Sequence, residues 1–230
     1  MTARRAGERT VLPLFPLGTV LVPGLVLPLH VFEPRYRRLV QDLAARPEDE
    51  RGFGVVAIRE GHEVGEHGVR ALHDVGTLAL VRSVTPYDDG RSDLTTNGDA
   101  RFRLLRLVET DAPYHCAEVE WLAEVDGERT PELARQVVAR FEEYRVAMAG
   151  AGAVEAAQMA AIAESPRTLA YLVSAAMVLD LRERQLLLEA PTTEERLRLA
   201  LSYLARETTM MRELPSLPAV DLARTAVSTN

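Results

Sequence analysis

The residues with the clearest potential for chemistry lie in one histidine-rich segment. Its sequence, HEVGEH, comes close to the helical H-E-x-x-H motif of zinc proteases. The two histidines are five positions apart instead of four, however, and the glycines around them argue against a helix. We therefore expect a solvated hairpin tip that binds neither a metal nor any other cofactor. A metal-dependent enzyme stays open as an alternative, with His62, His67 and His73 as its candidate ligands.

Other catalytic chemistry lacks the side chains that it needs. All 27 basic residues are arginine. A P-loop and a serine–lysine protease dyad are therefore excluded, because each needs a lysine that arginine cannot replace. No serine lies in a G-x-S-x-G elbow. Cys116 follows His115 on a predicted strand, where neighbouring side chains point to opposite faces and cannot pair. The sequence predicts a protein that is not an enzyme.

The charge distribution argues against an extended nucleic-acid surface. The net charge is -7, and both halves of the chain are acidic, whereas nucleic-acid binding typically needs a basic face. One local cluster, formed by Arg101, Arg103 and Arg106, is a candidate anion or RNA contact. The acidity of the surrounding chain favours a solvated or ion-paired face instead.

The single cysteine and the apolar runs bear on location. One cysteine excludes an internal disulfide, which suits a reducing compartment. No apolar run reaches the roughly 18 residues that a bilayer span requires. The N-terminal residues lack the apolar core of a signal peptide. We expect a cytoplasmic protein that has no membrane partner.

The elements that position these groups are mostly β-strands as far as about residue 125. Pro34 is placed to begin an amphipathic helix, which should end near Arg46. Gly98 and Asp99 predict a turn, and Leu105 breaks a strand alternation in the way that a bulge does. The predicted strands cover residues 12–14, 20–22, 25–31, 53–58, 76–84, 92–97, 101–108 and 114–123.

Helical periodicity dominates from about residue 130 to 213. One stripe joins Leu133, Val137, Phe141, Tyr144 and Met148, and an alanine-rich segment at 153–163 is also predicted to be helical. Ser165 is a predicted helix cap, as is Thr192 with Glu195 three residues later. We expect subdomains at 11–125 and 130–213, between disordered tails at 1–10 and 214–230.

Three segments resemble the amino-terminal, substrate-binding domain of Lon proteases. They are LPLFPLGTVLVPGLVLPLHVFEPRYRRLV at 12–40, GTLALVRSVTPYDDGRSDLTTNGDARFRLLRL at 76–107, and RERQLLLEAPTTEERLRLALSYLARE at 182–207. The resemblance covers roughly residues 11–213. It implies an α+β fold, in which a PUA-like β pseudo-barrel with one inserted helix is followed by a C-terminal α-helical bundle. It also implies a stand-alone form that lacks the ATPase and peptidase domains.

The function implied by this resemblance is the binding of polypeptides without catalysis. We expect recognition of exposed apolar or unfolded segments of a protein partner, since apolar grooves commonly hold such segments. An RNA-binding PUA-like module is the alternative, because PUA-like relatives bind RNA. The oligomeric state is left open. The candidate peptide-binding residues are Phe15, Val20, Val22, Phe32, Glu33, Arg35 and Tyr36; the resemblance points to Glu33 and Arg35, and apolar character to the others.

Overall fold

The structure is a computed structural model that describes residues 4–61, 69–148 and 165–213. The chain divides into two compact units. The first contains Met1–Val125 and Leu179–Pro191, and the second contains Asp126–Val178 and Thr192–Asn230. The first unit is therefore built from two separate stretches of the chain.

The described part of the first unit contains seven strands and two α-helices. A short 3-10 turn, Glu48–Glu50, joins α1 to β3. The strands are β1 (Arg9–Leu17), β2 (Val26–Val31), β3 (Gly52–Gly61), β4 (Val69–Leu72), β5 (Val75–Pro86), β6 (Ser92–Val108) and β7 (Cys116–Trp121), and the helices are α1 (Pro34–Ala44) and α4 (Leu181–Glu189).

Five strands close into a ring. The hydrogen-bonded order is β1-β7-β6-β5-β3, and β3 returns to pair with β1 in parallel. The long strand β6 pairs with β2 along its first half and with β7 along its second half. The predicted bulge at Leu105 is confirmed by a register shift between Leu104 and Arg106. α1 is inserted between β2 and β3.

Two apolar layers lie on opposite faces of this sheet, because successive strand side chains alternate. The layer inside the ring takes residues from all five ring strands: Leu14, Val56, Leu78, Leu80, Phe102, Ala117, Val119 and Trp121. The outer layer packs the sheet against α1, whose contribution is Tyr36, Leu39 and Leu43. β1 illustrates the division, since Leu14 faces inward and Phe15 faces α1.

The second unit consists, in its described part, of α2 (Thr130–Ala147), α3 (Pro166–Ala176) and α5 (Thr193–Glu213). The predicted stripe along α2 is confirmed at its first four residues, which are buried, whereas Met148 follows the end of the helix and is half-buried. Ser165 caps α3 through the N–H of Thr168, and Thr192 accepts the N–H of Glu195 at 3.1 Å, as predicted. The alanine-rich segment at 153–163 lies outside the described residues.

The structure corrects three local predictions. Residues 20–22 are buried but do not form a strand. β6 runs without interruption through the predicted turn at Gly98 and Asp99. The predicted tail at 1–10 is also wrong where it is described, since β1 begins at Arg9 and Arg4 pairs with Asp99 at 2.5 Å. Residues 1–3 and 214–230 lie outside the described residues.

The helix α4 lies with the strands and not with the predicted helical subdomain at 130–213. Its Gln185 side chain donates a hydrogen bond to the carbonyl oxygen of Val75 on β5, at 2.9 Å. Its last turn is held by Arg101 of β6, which donates to the carbonyl oxygens of Leu188 and Ala190 at 2.7 and 2.9 Å. Buried side-chain hydrogen bonds therefore attach this late segment to the first unit.

Candidate functional site

Four of the seven predicted peptide-binding residues are core residues. Phe15, Val20, Val22 and Tyr36 are all buried. The rings of Phe15 and Tyr36 stack with their centroids 4.0 Å apart, beneath α1. These side chains stabilise the position of α1 and do not form an exposed surface for a ligand.

Arg35 and Glu33 form a local pair at the start of α1. The Arg35 guanidinium lies 3.1 Å from the Glu33 carboxylate and 4.6 Å from the centre of the Tyr36 ring. Arg35 is buried. Its guanidinium is buried because a carboxylate and an aromatic face both stabilise it there. Glu33 is half-buried.

Phe32 is the one predicted peptide-binding residue that the structure places on the surface, with 39% of its area exposed. Its ring is stacked near His30, with centroids 6.2 Å apart. His30 in turn meets the edge of Tyr87, at 5.9 Å. We call His30, Phe32 and Tyr87 the aromatic cluster. It brings the end of β2 next to the turn between β5 and β6.

Asp93 of β6 fixes the orientation of this cluster. It lies opposite His30 in the β2–β6 register, so sheet geometry places the two side chains on one face. Its carboxylate accepts a hydrogen bond from the hydroxyl of Tyr87 at 2.5 Å and contacts Nδ1 of His30 at 2.6 Å. The hydrogen bond from Tyr87 is the main cause that lowers the pKa of Asp93, and the same bond raises the pKa of Tyr87. Asp93 thus holds His30 and Tyr87, and all three residues of the cluster stay exposed.

Sequence reasoning missed His30, Tyr87 and Asp93. Tyr87 stands in a segment, TPYDDG, that reads simply as a polar turn. A large aromatic residue inside a turn is itself a usable signal, because turns normally carry small or polar residues. The pairing of His30 with Asp93 depends on strand register, which the sequence does not reveal.

The three arginines of the candidate anion or RNA contact are not equivalent. Arg101 is only 2% exposed. It pairs with Glu124 at 2.6 Å in addition to its two carbonyl partners. Arg103 is exposed, and Arg106 is exposed and paired with Glu118 at 2.7 Å. Arg101 therefore does not lie on a solvated face with Arg103, because the last turn of α4 provides carbonyl groups that cover it.

Of the three candidate metal-ligating histidines, only His73 lies within the described residues. His62 and His67 lie outside the described residues. His73 is partly buried, with Nδ1 3.9 Å from the Glu189 carboxylate. Across the described ranges, no group of three or more histidine, cysteine, aspartate or glutamate side chains is arranged to hold a metal ion. Cys116 is a buried free thiol, with the Thr110 hydroxyl 3.7 Å from its sulfur.

The aromatic cluster is therefore suited to binding. Exposed aromatic rings bury large apolar areas on contact with another apolar or aromatic side chain. Asp93 already holds His30 and Tyr87, so little side-chain entropy of these two residues is lost when they bind. The Arg91 guanidinium lies 5.8 Å from the centre of the Tyr87 ring and pairs with Asp89 at 2.7 Å, which places charges at the edge of the cluster.

A model of the ATP-dependent protease La (LON) substrate-binding domain matches residues 11–206. The chain belongs to this family. The matched residues come from both units and include all three residues of the aromatic cluster. It confirms the resemblance seen in the three sequence segments.

Full-length Lon proteases are similar to the chain over most of its length. Lon protease 2 of Syntrophobacter fumaroxidans is 31% identical over 208 residues, which cover 89% of this chain and 25% of that protein. Lon protease of Escherichia coli is 26% identical over 208 residues, covering 89% and 26%. The chain thus spans about a quarter of these relatives.

Two solved structures share the fold of the Lon substrate-binding domain. The Lon N-terminal domain protein from Xanthomonas campestris has a TM-score of 0.60 and 26% identity, over 84% of this chain and 98% of that one. The N-terminal domain of Mycobacterium avium complex Lon protease has a TM-score of 0.62 at 16% identity, over 85% of this chain and 98% of that one.

None of the helices in the described ranges has the length and apolar character of a bilayer span.

Proposed function

We propose that this chain is a non-catalytic module that binds polypeptides through exposed apolar and aromatic side chains of unfolded segments. The observation that carries this proposal is the exposed aromatic cluster beside α1, in a member of the Lon substrate-binding domain family. Unfolded chains expose their apolar side chains, whereas folded proteins bury most of them. A fixed aromatic surface therefore distinguishes the two states.

The exposures of the rings support this role. Phe32 and Tyr87 are 39% and 44% exposed. Binding energy at protein surfaces concentrates in a few aromatic and arginine residues that lie together. Phe32, Tyr87 and Arg91 form such a group. Asp93 acts as a support, because its carboxylate bonds to both His30 and Tyr87.

The RNA-binding alternative is weaker than polypeptide binding. Its central residue, Arg101, is buried and bonded to carbonyl groups and to Glu124. The net charge of -7 would repel a phosphate backbone over most of the surface.

We place the protein in the cytoplasm, since its single cysteine is a free thiol that suits a reducing compartment.

Fluorescence anisotropy with a labelled, permanently unfolded protein tests the proposal. Reduced and carboxymethylated α-lactalbumin is a suitable probe. We expect saturable binding that Phe32→Ser and Tyr87→Ser each weaken by roughly tenfold, since loss of one aromatic hot spot costs about 1–2 kcal/mol.

Leu107→Ser is the matched control. Leu107 is 53% exposed on β6, so this variant removes a similar exposed apolar side chain outside the cluster. Its affinity should stay within twofold of the unsubstituted chain. Equal losses in all three variants would mean that binding depends on general surface hydrophobicity. No binding to the probe at all would refute the proposed function.

A further inference from the structure

The wall of the β ring has a gap the width of one strand. β3 lies between β1 and β5 where Leu14 pairs with Gly54 and Gly52 pairs with Leu80. There β1 and β5 are two strand spacings, roughly 9.5 Å, apart. Beyond Gly52 the chain leaves the wall through the 3-10 turn Glu48–Glu50. β1 and β5 continue past that point, with no strand of the described residues between them.

A cleft of about 870 Å³ fills this position. One side is β1 from Thr10 to Leu12, and the other is β5 from Leu80 to Val84. The inner end is apolar, since Leu80 and Trp121 belong to the layer inside the ring. Side chains of both charges, such as Arg82 and Glu50, line the cleft toward solvent.

Both sides of the cleft direct backbone groups into it. On β5, the N–H of Tyr87 bonds to the Arg91 carbonyl across the turn to β6. Antiparallel alternation then points the N–H and C=O of Val84 away from β6 and toward the cleft. The N–H of Val81 already donates to the Arg51 carbonyl at 2.8 Å, and this bond marks the closed end of the gap.

β1 shows the same arrangement. Leu14 donates its N–H to the His115 carbonyl at 2.8 Å, and Glu8 accepts the N–H of Trp121 at 3.0 Å, so even-numbered residues point toward β7. The N–H and C=O of Val11 therefore point to the opposite edge, which is the cleft. β7 pairs with the other edge of β1 over this stretch, and pairing of β1 with β3 begins only at Leu14.

We propose that this gap binds one extended segment of an unfolded polypeptide, with alternating apolar residues, as an added strand between β1 and β5. The inference rests on the proposed function and specifies how the substrate is bound. The aromatic cluster binds side chains of the unfolded polypeptide, and the gap binds its backbone. Alternate side chains of the segment would lie on Leu12, Leu80 and Trp121. The others would face the charged residues toward solvent, so threonine or charged side chains fit there.

The gap is built for reversible pairing. A register shift lies between Val81 and Ser83, and Pro86 ends the open edge of β5. Bulges and prolines limit the pairing of exposed strand edges. Only a short segment therefore forms hydrogen bonds on both sides, which favours quick release over aggregation.

The test uses the full chain and a fluorescein-labelled heptapeptide, Thr-Val-Thr-Val-Thr-Val-Thr, in anisotropy titrations. Along an extended peptide, valine and threonine N–H groups point to opposite edges. N-methylation of the three valines, or of the threonines at positions 3, 5 and 7, should each weaken binding at least tenfold, because each set faces one wall and several hydrogen bonds are lost. If only one set matters, the peptide adds to a single edge and the proposal is overturned.

Matched variants locate the site. Val84→Pro and Val11→Pro each remove an N–H that no described strand uses, while Val84→Ala and Val11→Ala keep it. Val11 and Val84 are 54% and 41% exposed, so loss of their side chains should matter little. Both proline variants should bind the heptapeptide at least fivefold more weakly than their alanine partners, with unchanged thermal unfolding of the protein.

The remaining outcomes are decisive. Equal affinities in the proline and alanine variants overturn the proposal, as does a peptide that fails to bind while the unfolded protein still does. That last result would leave the proposed function intact, because Phe32→Ser and Tyr87→Ser report on it separately. If the proline variants abolish a concentration-dependent dimer and peptide binding is absent, a second copy of this chain fills the gap and the proposal is wrong.

Discussion

Arg101 shows how a single buried charge can connect distant parts of the chain. Strand alternation in RFRLL indicates that Arg101 faces solvent like Arg103. In the structure it contacts Glu124, Leu188 and Ala190, which lie 23 to 89 positions away in sequence. The partners of an isolated arginine cannot be read from its own strand, and this is why its role was mispredicted.

Arg101→Met should destabilise the protein by about 3–5 kcal/mol, because it leaves the Glu124 carboxylate and two carbonyl groups without their partner. Arg103→Met is the matched control on the same strand, and its effect should stay within about 0.5 kcal/mol because the side chain is exposed. Urea unfolding measures both. Similar effects of the two substitutions would contradict the assigned role of Arg101.

Tyr114 provides a test by pH. Its hydroxyl donates to Asp42 at 2.9 Å, and burial, followed by this bond, raises the pKa of Tyr114 from 10.0 to about 12. Because the pKa is raised in the folded state, the stability that Tyr114 contributes is complete below pH 10. It should be lost as pH rises from 10 to about 12.

Tyrosinate absorbance followed during an alkaline titration measures this shift, and Tyr114→Phe isolates the signal from the other five tyrosines. Asp42→Asn should lower the pKa of Tyr114 only part of the way, since burial is the larger cause. A pKa of Tyr114 that stays the same in Asp42→Asn would show that the carboxylate has no effect on it.

At the scale of elements, Gly98 explains why a predicted turn is part of a long strand. A side chain there would meet the backbone oxygen of Val22, with a Cβ only 2.3 Å away. The glycine thus allows the 20–25 segment to approach β6, where Gly98 N–H bonds to the Leu25 carbonyl. In a strand, glycine often marks such close backbone approach and not a chain reversal.

Gly98→Ala should cost about 1–3 kcal/mol, because backbone atoms must move to admit the methyl group. Gly52→Ala is the control. Its nearest contacts are the mobile ends of Leu78 and Leu80, at 3.0 and 3.1 Å. Thermal unfolding should show the larger loss for Gly98→Ala, and the reverse order would contradict the close-approach explanation.

Capping illustrates what local sequence can and cannot predict. Ser165 and Thr192 were predicted from the sequence as caps, since a cap needs only neighbours within three residues. Asp180 and Glu183 form a full capping box at the start of α4, and this box is equally local, since an aspartate followed three residues later by a glutamate is the same kind of start signal. The placement of α4 with the strands depends on contacts with Val75 and Arg101, far away in sequence.

At the scale of the molecule, the division into a β region and a helical region was predictable, because hydrophobic periodicity changes from two to about 3.6 residues near position 125. Membership of the Lon substrate-binding domain family was also predictable from three quoted segments and is confirmed. The surface was harder to predict. Phe32 is exposed, and its role in binding stays a prediction, whereas the choice between core and surface for Phe15, Val20 and Val22 depends on the fold itself.

The central claim is that the aromatic cluster contacts unfolded polypeptide directly. Site-specific photo-crosslinking tests this most directly, with benzoylphenylalanine replacing Phe32, or Leu107 as the reference position, and labelled carboxymethylated α-lactalbumin as the target. The account predicts strong crosslinking from position 32, reduced by unlabelled competitor, and background crosslinking from position 107. Equal yields from the two positions, or crosslinking only from position 107, would contradict it.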